Sequence, residues 1–194
     1  MPRSVRRLER IRRVLAHRQP GLTVVMENIH DPHNVSAVFR TCDAVGVMRV
    51  ELLYTQEKFP RIGKKSSSSA NKWVDRRKHT SVDECYAALR AEGFHIYATG
   101  VGGSSQSLYD LDLTRKTAFV LGNEHRGVSA EAAEKADTQL QIPMVGMIES
   151  LNVSVAAAVC LYEALRQRVA GGLLDAPQLT EGAIRELYET WIRL

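Results

Sequence analysis

The sequence predicts an α/β domain with a mainly parallel sheet flanked by helices. Short apolar runs rich in β-branched residues alternate with segments of helical periodicity along most of the chain. The 194 residues, 44% of them hydrophobic, suffice for one well-filled core. Asx, Gly and Pro steps separate the runs, as a βαβ succession requires.

Residues 4–17 place Val5, Leu8, Ile11 and Leu15 at helical spacing, with arginines around the rest of the cylinder. LTVVMEN (22–28) reads as the first strand, and the Asp31-Pro32 step stops it before a helix over 34–45. Further strands are predicted at 47–54, 94–100, 117–122 and 138–144, with helices at 81–93 and 129–136. A small-residue helix follows Asn152 and runs on to Arg166 and Arg168, and residues 181–194 form a last helix with Ile184, Leu187, Trp191 and Ile192. The serines 66–69 read as a polar loop able to lid a site. The implied organisation is a basic helix (1–20), a main domain (21–170) and a C-terminal helical extension (171–194). In such a sheet, ligands bind beyond the carboxyl ends of the strands. Those ends are Glu27/Asn28, Thr99/Gly100, Leu121/Gly122 and Pro143/Met144.

Charge is unevenly spread. The chain carries a formal +4, yet residues 1–20 alone hold +6, which leaves −2 for the remainder. A localised basic element on a near-neutral body suits a polyanion partner, because clustered arginines displace counterions from phosphates; a solvated helix face is the other reading. Cys42, Cys85 and Cys160 are odd in number and never stand as C-x-x-C, so neither a disulfide framework nor a zinc ribbon is indicated. No apolar run approaches membrane-spanning length, no secretory h-region follows the arginines, and a cytoplasmic protein is expected.

Several chemistries can be set aside. Gly100-Val-Gly-Gly-Ser-Ser follows a strand but has Ser105 where a dinucleotide fingerprint needs its third glycine. His30 and His33 stand three apart, but Pro32 breaks the helix that would align them and no third ligand is near. A turn or a nucleic-acid contact suits the pair better than a metal. No G-x-S-x-G elbow is present.

Three separated segments remain: HNVSAVFRTCDAVG (33–46), FVLGNEHRGVS (119–129) and IPMVGMIESLNVSVAAA (142–158). The first and third share the triplet Asn-Val-Ser, each at a turn-to-helix junction, and two such junctions can converge on one site. In order and spacing the three closely resemble the motifs of the SpoU/TrmH family of SPOUT-class RNA methyltransferases, and the resemblance covers nearly the whole chain. It implies a C-terminal deep trefoil knot, a homodimer, and S-adenosyl-L-methionine held among the knot loops. It also implies 2′-O-methylation of a tRNA ribose, at guanosine 18 of the D-loop. Ribosomal RNA or another tRNA position is the alternative within that chemistry, and a non-catalytic RNA-binding protein is the alternative outside it.

By the same resemblance, Asn34 and Arg40 face substrate together. Arg40 either activates the 2′-hydroxyl or clamps the neighbouring phosphate, and an N-cap is the competing role for Asn34. Glu124 orients a loop or an active-site residue, and Ser150 and Asn152 line the reacting ribose. Thr99, Gly100, Leu121, Gly122, Asn123, Ile142, Met144 and Leu151 match cofactor-binding positions, with Gly122 allowing close approach of the ligand. RNA contacts are expected from Arg7, Arg10, Arg13 and Arg18 of the first helix, from His33, and from Arg166 and Arg168 beyond the pocket.

Overall fold

The computed structural model describes residues 4–61, 70–100 and 105–194. The expected serine loop at 66–69 and the glycine turn at 101–104 lie outside the described residues, as does Arg3. In chain order the elements are α1 (Val5–Ala16), β1 (Leu22–Glu27), α2 (Pro32–Ala44), β2 (Arg49–Leu53), β3 (Asp75–His79), α3 (Val82–Ala91) and β4 (His95–Thr99). There follow β5 (Gln106–Ser107), β6 (Thr117–Leu121), α4 (Ala130–Lys135), β7 (Thr138–Gln141), α5 (Val153–Ala170) and α6 (Glu181–Trp191). The strands form one sheet in the order β3-β2-β1-β6-β4-β7-β5, every neighbouring pair parallel.

The central strands β1 and β6 are buried at every position, which accounts for their continuous apolar runs. Period-two alternation divides the core between the two faces. Val24 and Met26 join Phe39 of α2 and Leu161 of α5 on one side. Val25 joins Leu89 of α3, Ala132 of α4 and Val120 on the other. Helix α2 starts where its sequence directs it: Asp31 is the N-cap, accepting from the His33 N–H, and Pro32 occupies the first turn. Asn34 is therefore not the cap. After α2 the chain turns at Gly46 (φ +84°), where a Cβ would stand 2.5 Å from the His17 carbonyl oxygen, so only glycine fits.

Strand β3 was not expected from the sequence. Its residues, Asp-Arg-Arg-Lys-His, offer no apolar alternation, because it is an edge strand whose face is bound by charge. The fully buried Glu51 of β2 accepts from Arg49 Nε (2.8 Å), Arg77 Nε (2.8 Å) and His79 Nε2 (2.7 Å). Both arginines also reach Glu92 after α3.

Helices α1 and α6, at opposite ends of the chain, pack on one another. Ile11 and Leu15 meet Trp191, whose ring lies 4.8 Å from that of Trp73. This flank corrects one expected RNA contact. Arg18 is 1% exposed, and its guanidinium is spent on the Val47 carbonyl (2.9 Å), the Trp73 carbonyl (3.2 Å) and the Asp43 carboxylate (2.6 Å). A second correction concerns Arg168, also 1% exposed. It donates to the carbonyls of Leu113 (2.9 Å), Gly21 (2.8 Å) and Arg115 (2.6 Å), tying the end of α5 to the starts of β1 and β6. Burial pushes its guanidinium down to about 10, still protonated at neutral pH. Neither arginine presents its charge to a phosphate.

Removing the Arg168 side chain takes the donor from the Leu113 carbonyl and leaves the Gly21 and Arg115 carbonyls with Thr117 alone. Arg168→Ala is expected to lower unfolding free energy by about 2–5 kcal/mol in urea titrations followed by circular dichroism. Arg166→Ala, on the exposed side of the same helix, is expected to change it by less than about 1 kcal/mol.

Candidate active site

The site is assembled where β1 and β6 end side by side. Asn28 leaves β1 at φ +50°, a conformation asparagine tolerates better than most residues. There its Oδ1 accepts the N–H groups of Thr55 (3.0 Å), Gln56 (3.0 Å) and Glu57 (3.1 Å) beyond β2. Its carbonyl accepts from Asn123 Nδ2 (2.8 Å), and Glu27 accepts the Ser129 N–H (2.9 Å), so the turn after β6 is pinned to the end of β1. Within that turn Asn123 and Gly127 pair through their backbones, and Asn123 Oδ1 accepts from the N–H groups of His125 and Arg126. Gly122 is required by this crossing: a Cβ there would lie 2.0 Å from the Gly127 carbonyl carbon. The close approach it permits is to its own chain.

The pinned turn aims Glu124 at the start of α2. Its Oε1 accepts from the Asp31 N–H (3.1 Å) and Asn34 Nδ2 (3.0 Å), and its Oε2 from the His30 N–H (3.2 Å) and His30 Nδ1 (2.9 Å). Burial opposes ionisation here, but the Asn34 amide and the backbone N–H groups around it outweigh that penalty and hold the carboxyl at about 2. Glu124 is thus a permanent anion and a poor proton acceptor.

The network continues into the third segment. Asn152 Nδ2 donates to Asn34 Oδ1 (3.0 Å), while Asn152 Oδ1 caps α5 by accepting from the Ser154 N–H (2.9 Å). The two Asn-Val-Ser junctions therefore meet directly, and one line of hydrogen bonds, Glu124 to Asn34 to Asn152, joins all three segments. Ser150 is exposed beside it. Arg40 does not join the cluster. It is exposed, whereas Asn34 is buried, because six residues of helix rotate them to different faces. On its own face Arg40 stands two turns from the exposed His33, and among the described residues it makes no hydrogen bond or ion pair. Within one chain Asn34 and Arg40 therefore lie on different faces of α2.

Residues 21–162 match the SpoU rRNA Methylase family. This chain is a member of the SpoU methylase family. It is 44% identical over 191 residues, 98% of each chain, to the tRNA (guanosine(18)-2′-O)-methyltransferase of Thermus thermophilus. A crystal structure of the Aquifex aeolicus TrmH/SpoU tRNA modifying enzyme superposes with a TM-score of 0.89 at 40% identity, covering 96% of this chain and 94% of that one. The SpoU methyltransferase AviRb from Streptomyces viridochromogenes, in complex with the cofactor AdoMet, superposes with a TM-score of 0.70 at 25% identity, covering 88% of this chain and 64% of that one.

In this SpoU chain β6, β4 and β7 are adjacent, so their carboxyl ends bring Leu121/Gly122, Thr99/Gly100 and Ile142/Met144 to one edge. The residues there fit a ligand with an apolar purine face and polar edges. Met144 and Leu151 are each 37% exposed, Ile142 is half-buried, and Gly100 and Gly122 stand at the ends of the neighbouring strands β4 and β6. The side chains of Leu121 and Asn123 are not available: Leu121 is core, and the Asn123 amide is bound at one end by the Asn28 carbonyl and at the other by N–H groups of its own turn. Thr99 Oγ1 donates to the Val120 carbonyl (2.9 Å). These three can offer a ligand backbone groups only, apart from the acceptor capacity of the Thr99 hydroxyl.

Arg7, Arg10 and Arg13 are exposed on α1, as is His33 on α2. Arg166 is exposed too, but it is held by Glu163 (2.8 Å). Sequence reasoning missed Asn28 and the engagement of His30; the only available signals were an asparagine at a strand end and a histidine before the N-cap.

The depressed Glu124 carboxyl makes stability depend on acid in a defined window. A group with lowered folded-state pKa contributes above its unfolded value and loses that contribution as pH falls through the folded one. The stability difference between wild type and Glu124→Gln is expected to be constant above about pH 5 and to shrink between about 4.5 and about 2. Urea titrations at successive pH values measure it.

Proposed function

We propose that this chain is an S-adenosyl-L-methionine-dependent tRNA 2′-O-methyltransferase acting on guanosine 18. The observation that carries the reading is the Glu124–Asn34–Asn152 line at the carboxyl edge of the sheet. It stands in a chain that matches a tRNA (guanosine(18)-2′-O)-methyltransferase over 98% of both lengths. S-adenosyl-L-methionine, when bound, supplies an electrophilic methyl group on a sulfonium. Met144, Leu151 and Ile142 would hold its adenosine, with backbone groups of Gly100, Leu121 and Gly122 at its polar edges. Asn34 and Asn152 are fixed by their mutual bond and orient the ribose, and Ser150 adds a hydroxyl at the same rim. Holding two reactants in a near-attack geometry contributes roughly 7–11 kcal/mol of barrier reduction. A guanidinium presents five donors and no acceptor, and the part of Arg40 is to clamp the phosphate next to the ribose. Arg7, Arg10, Arg13, His33 and Arg166 extend the anion-binding surface to the rest of the tRNA.

Three further features belong to the same reading. The C-terminal part forms a trefoil knot, supported by β7 entering the sheet between β4 and β5, strands that precede it in sequence. The protein is a homodimer, supported by an unpartnered apolar stripe. Val155, Tyr162 and Val169 recur every seven residues along α5, 47%, 51% and 57% exposed, and Met147 and Ile148 in the segment before α5 are exposed as well. Arg40, unpartnered in one chain, would then complete a site shared with the second copy. The protein works in the cytoplasm, where its tRNA substrate is found. Among the described residues no helix is long and apolar enough to cross a membrane, and no group of three or more His, Cys, Asp or Glu residues is placed to hold a metal.

The test is methyl transfer from labelled cofactor to tRNA lacking the modification, followed by mapping. Label on the guanosine 18 ribose is expected, with Arg40→Ala slower by about 100-fold or more at saturation. Label on ribosomal RNA, another tRNA ribose or a base would overturn the assignment. For the assembly, sedimentation equilibrium is expected to give a dimer for wild type and a monomer for Tyr162→Asp, since a desolvated charge disrupts such an interface.

A further inference from the structure

Cations beside α3 and α4 are spent on neighbouring carboxylates, Arg90 on Asp137 (2.8 Å) and Lys135 on Asp83 (2.7 Å) and Glu131 (2.8 Å). Those between α2 and the β3 edge are left open. Lys58, Arg61, Lys72 and Lys78 are exposed and, like Arg40, make no ion pair or hydrogen bond among the described residues. Arg76 is exposed as well, with its guanidinium 5.9 Å from the Phe39 ring of α2. We propose that Lys58, Arg61, Lys72, Arg76 and Lys78 form a track for the sugar-phosphate backbone of the tRNA, running from the entry to α2 past its outer face to the β3 edge. The inference rests on the methyltransferase reading above and adds to it a surface separate from α1.

The backbone places each of these charges. Asn28 Oδ1 holds the N–H groups of residues 55–57 at the end of β1. Phe59 meets the ring of Tyr54 edge-on at 5.2 Å, and the Tyr54 hydroxyl donates to the Ile29 carbonyl (2.8 Å). Lys58 and Arg61, flanking Phe59, are thereby held near the entry to α2. The adjacent carboxylate, Glu57, is already taken by Arg126 (2.8 Å). Strand alternation then sorts β3. Arg77 and His79 turn to the buried Glu51, whereas Arg76 and Lys78 pair in register with Val50 and Leu52, which belong to the core that α2 covers. The two open cations share one face, about 7 Å apart along the strand. Asp75, an exposed carboxylate, alternates with Arg77 and His79 on the other face. Lys72 ends a turn that packs on α2, and it lines a groove with Trp73, Thr190 and Trp191 on the flank of α6. β3 lies two strands, about 10 Å, from β1, so its charges meet nucleotides flanking the methylated one. Cations on an edge strand also deter pairing with another sheet. That role does not account for Lys58, Arg61 or Lys72, which stand off the strand.

The test is binding of fluorescently labelled tRNA lacking the modification, followed by anisotropy across a potassium chloride series. Each phosphate contact contributes roughly 0.7–0.9 to the slope of log affinity against log salt. The double variants Arg76→Gln/Lys78→Gln and Lys58→Gln/Arg61→Gln are each expected to lower that slope by about 1.4–1.8 and to weaken binding about 10-fold at physiological salt. Melting temperature and S-adenosyl-L-methionine affinity are expected to stay at wild-type values. In turnover, KM for tRNA is expected to rise with kcat unchanged, the mark of binding energy shared by ground and transition states. Lys135→Gln, beside α4, is expected to leave slope and affinity as they are. Wild-type slope and affinity in both double variants, or an equal loss in Lys135→Gln, overturns the proposal and leaves the methyltransferase reading intact. Variants that self-associate while binding tRNA normally overturn it too, by assigning the charges to guarding the sheet edge. An effect confined to phosphatidylserine vesicles or an acidic peptide does the same. A wild-type protein that neither binds nor methylates tRNA overturns both.

Discussion

The Glu124 carboxylate binds together segments that the chain order keeps far apart. Its acceptors take two backbone N–H groups and two side chains from residues 30–34, 90 to 94 positions earlier in sequence. Asn34, fixed from that side, turns its remaining oxygen to Asn152 and so sets the entry to α5. The carboxylate can hold this position because the turn around it is independently rigid. Gly122 lets the backbone cross itself, and Asn123 closes the crossing while anchoring to Asn28. Preorganisation of this kind places polar groups before substrate arrives, so that little ordering remains to be done at the moment of reaction.

Arginine serves two purposes in this protein. On α1 the exposed Arg7, Arg10 and Arg13 form a charged outer face, while Arg18, two residues past the helix, is sealed between Asp43 and two carbonyls. Arg166 and Arg168, two residues apart, show the same contrast, because that step along a helix moves a side chain from solvent to core. A buried guanidinium serves well where several carbonyls converge from different elements, since its planar fork supplies five donors.

The parallel sheet and most helices were legible in the sequence because a sheet covered on both faces leaves continuous apolar runs, as β1 and β6 do. Edge strands leave no such trace: β3 is held by Glu51, Arg49 and Arg77, and its pairing depends on residues elsewhere in the chain. The same limit applies to the site. The repeated Asn-Val-Ser pointed to two converging junctions, and Asn34 and Asn152 do bond to each other. The separation of Arg40 from Asn34 follows from helical rotation. The burial of Arg18 and Arg168 could not be read from a pattern, since charge at the margin of an amphipathic helix looks alike whether it faces water or a ring of carbonyls. His30 was visible as one of a histidine pair at a turn, but its bond to Glu124, ninety-four positions on, was not.

Both tryptophans of the chain, Trp73 and Trp191, lie against each other on the flank where α1 meets α6. Intrinsic fluorescence of this protein therefore reports on a single place. It follows the docking of the two chain ends, with Arg18 over one of the rings, and is remote from the carboxyl edge of the sheet. An optical signal lost on heating or in denaturant would record release of the terminal helices even if the sheet beneath them were still intact. Ligand entry at the Glu124 cluster would leave it silent.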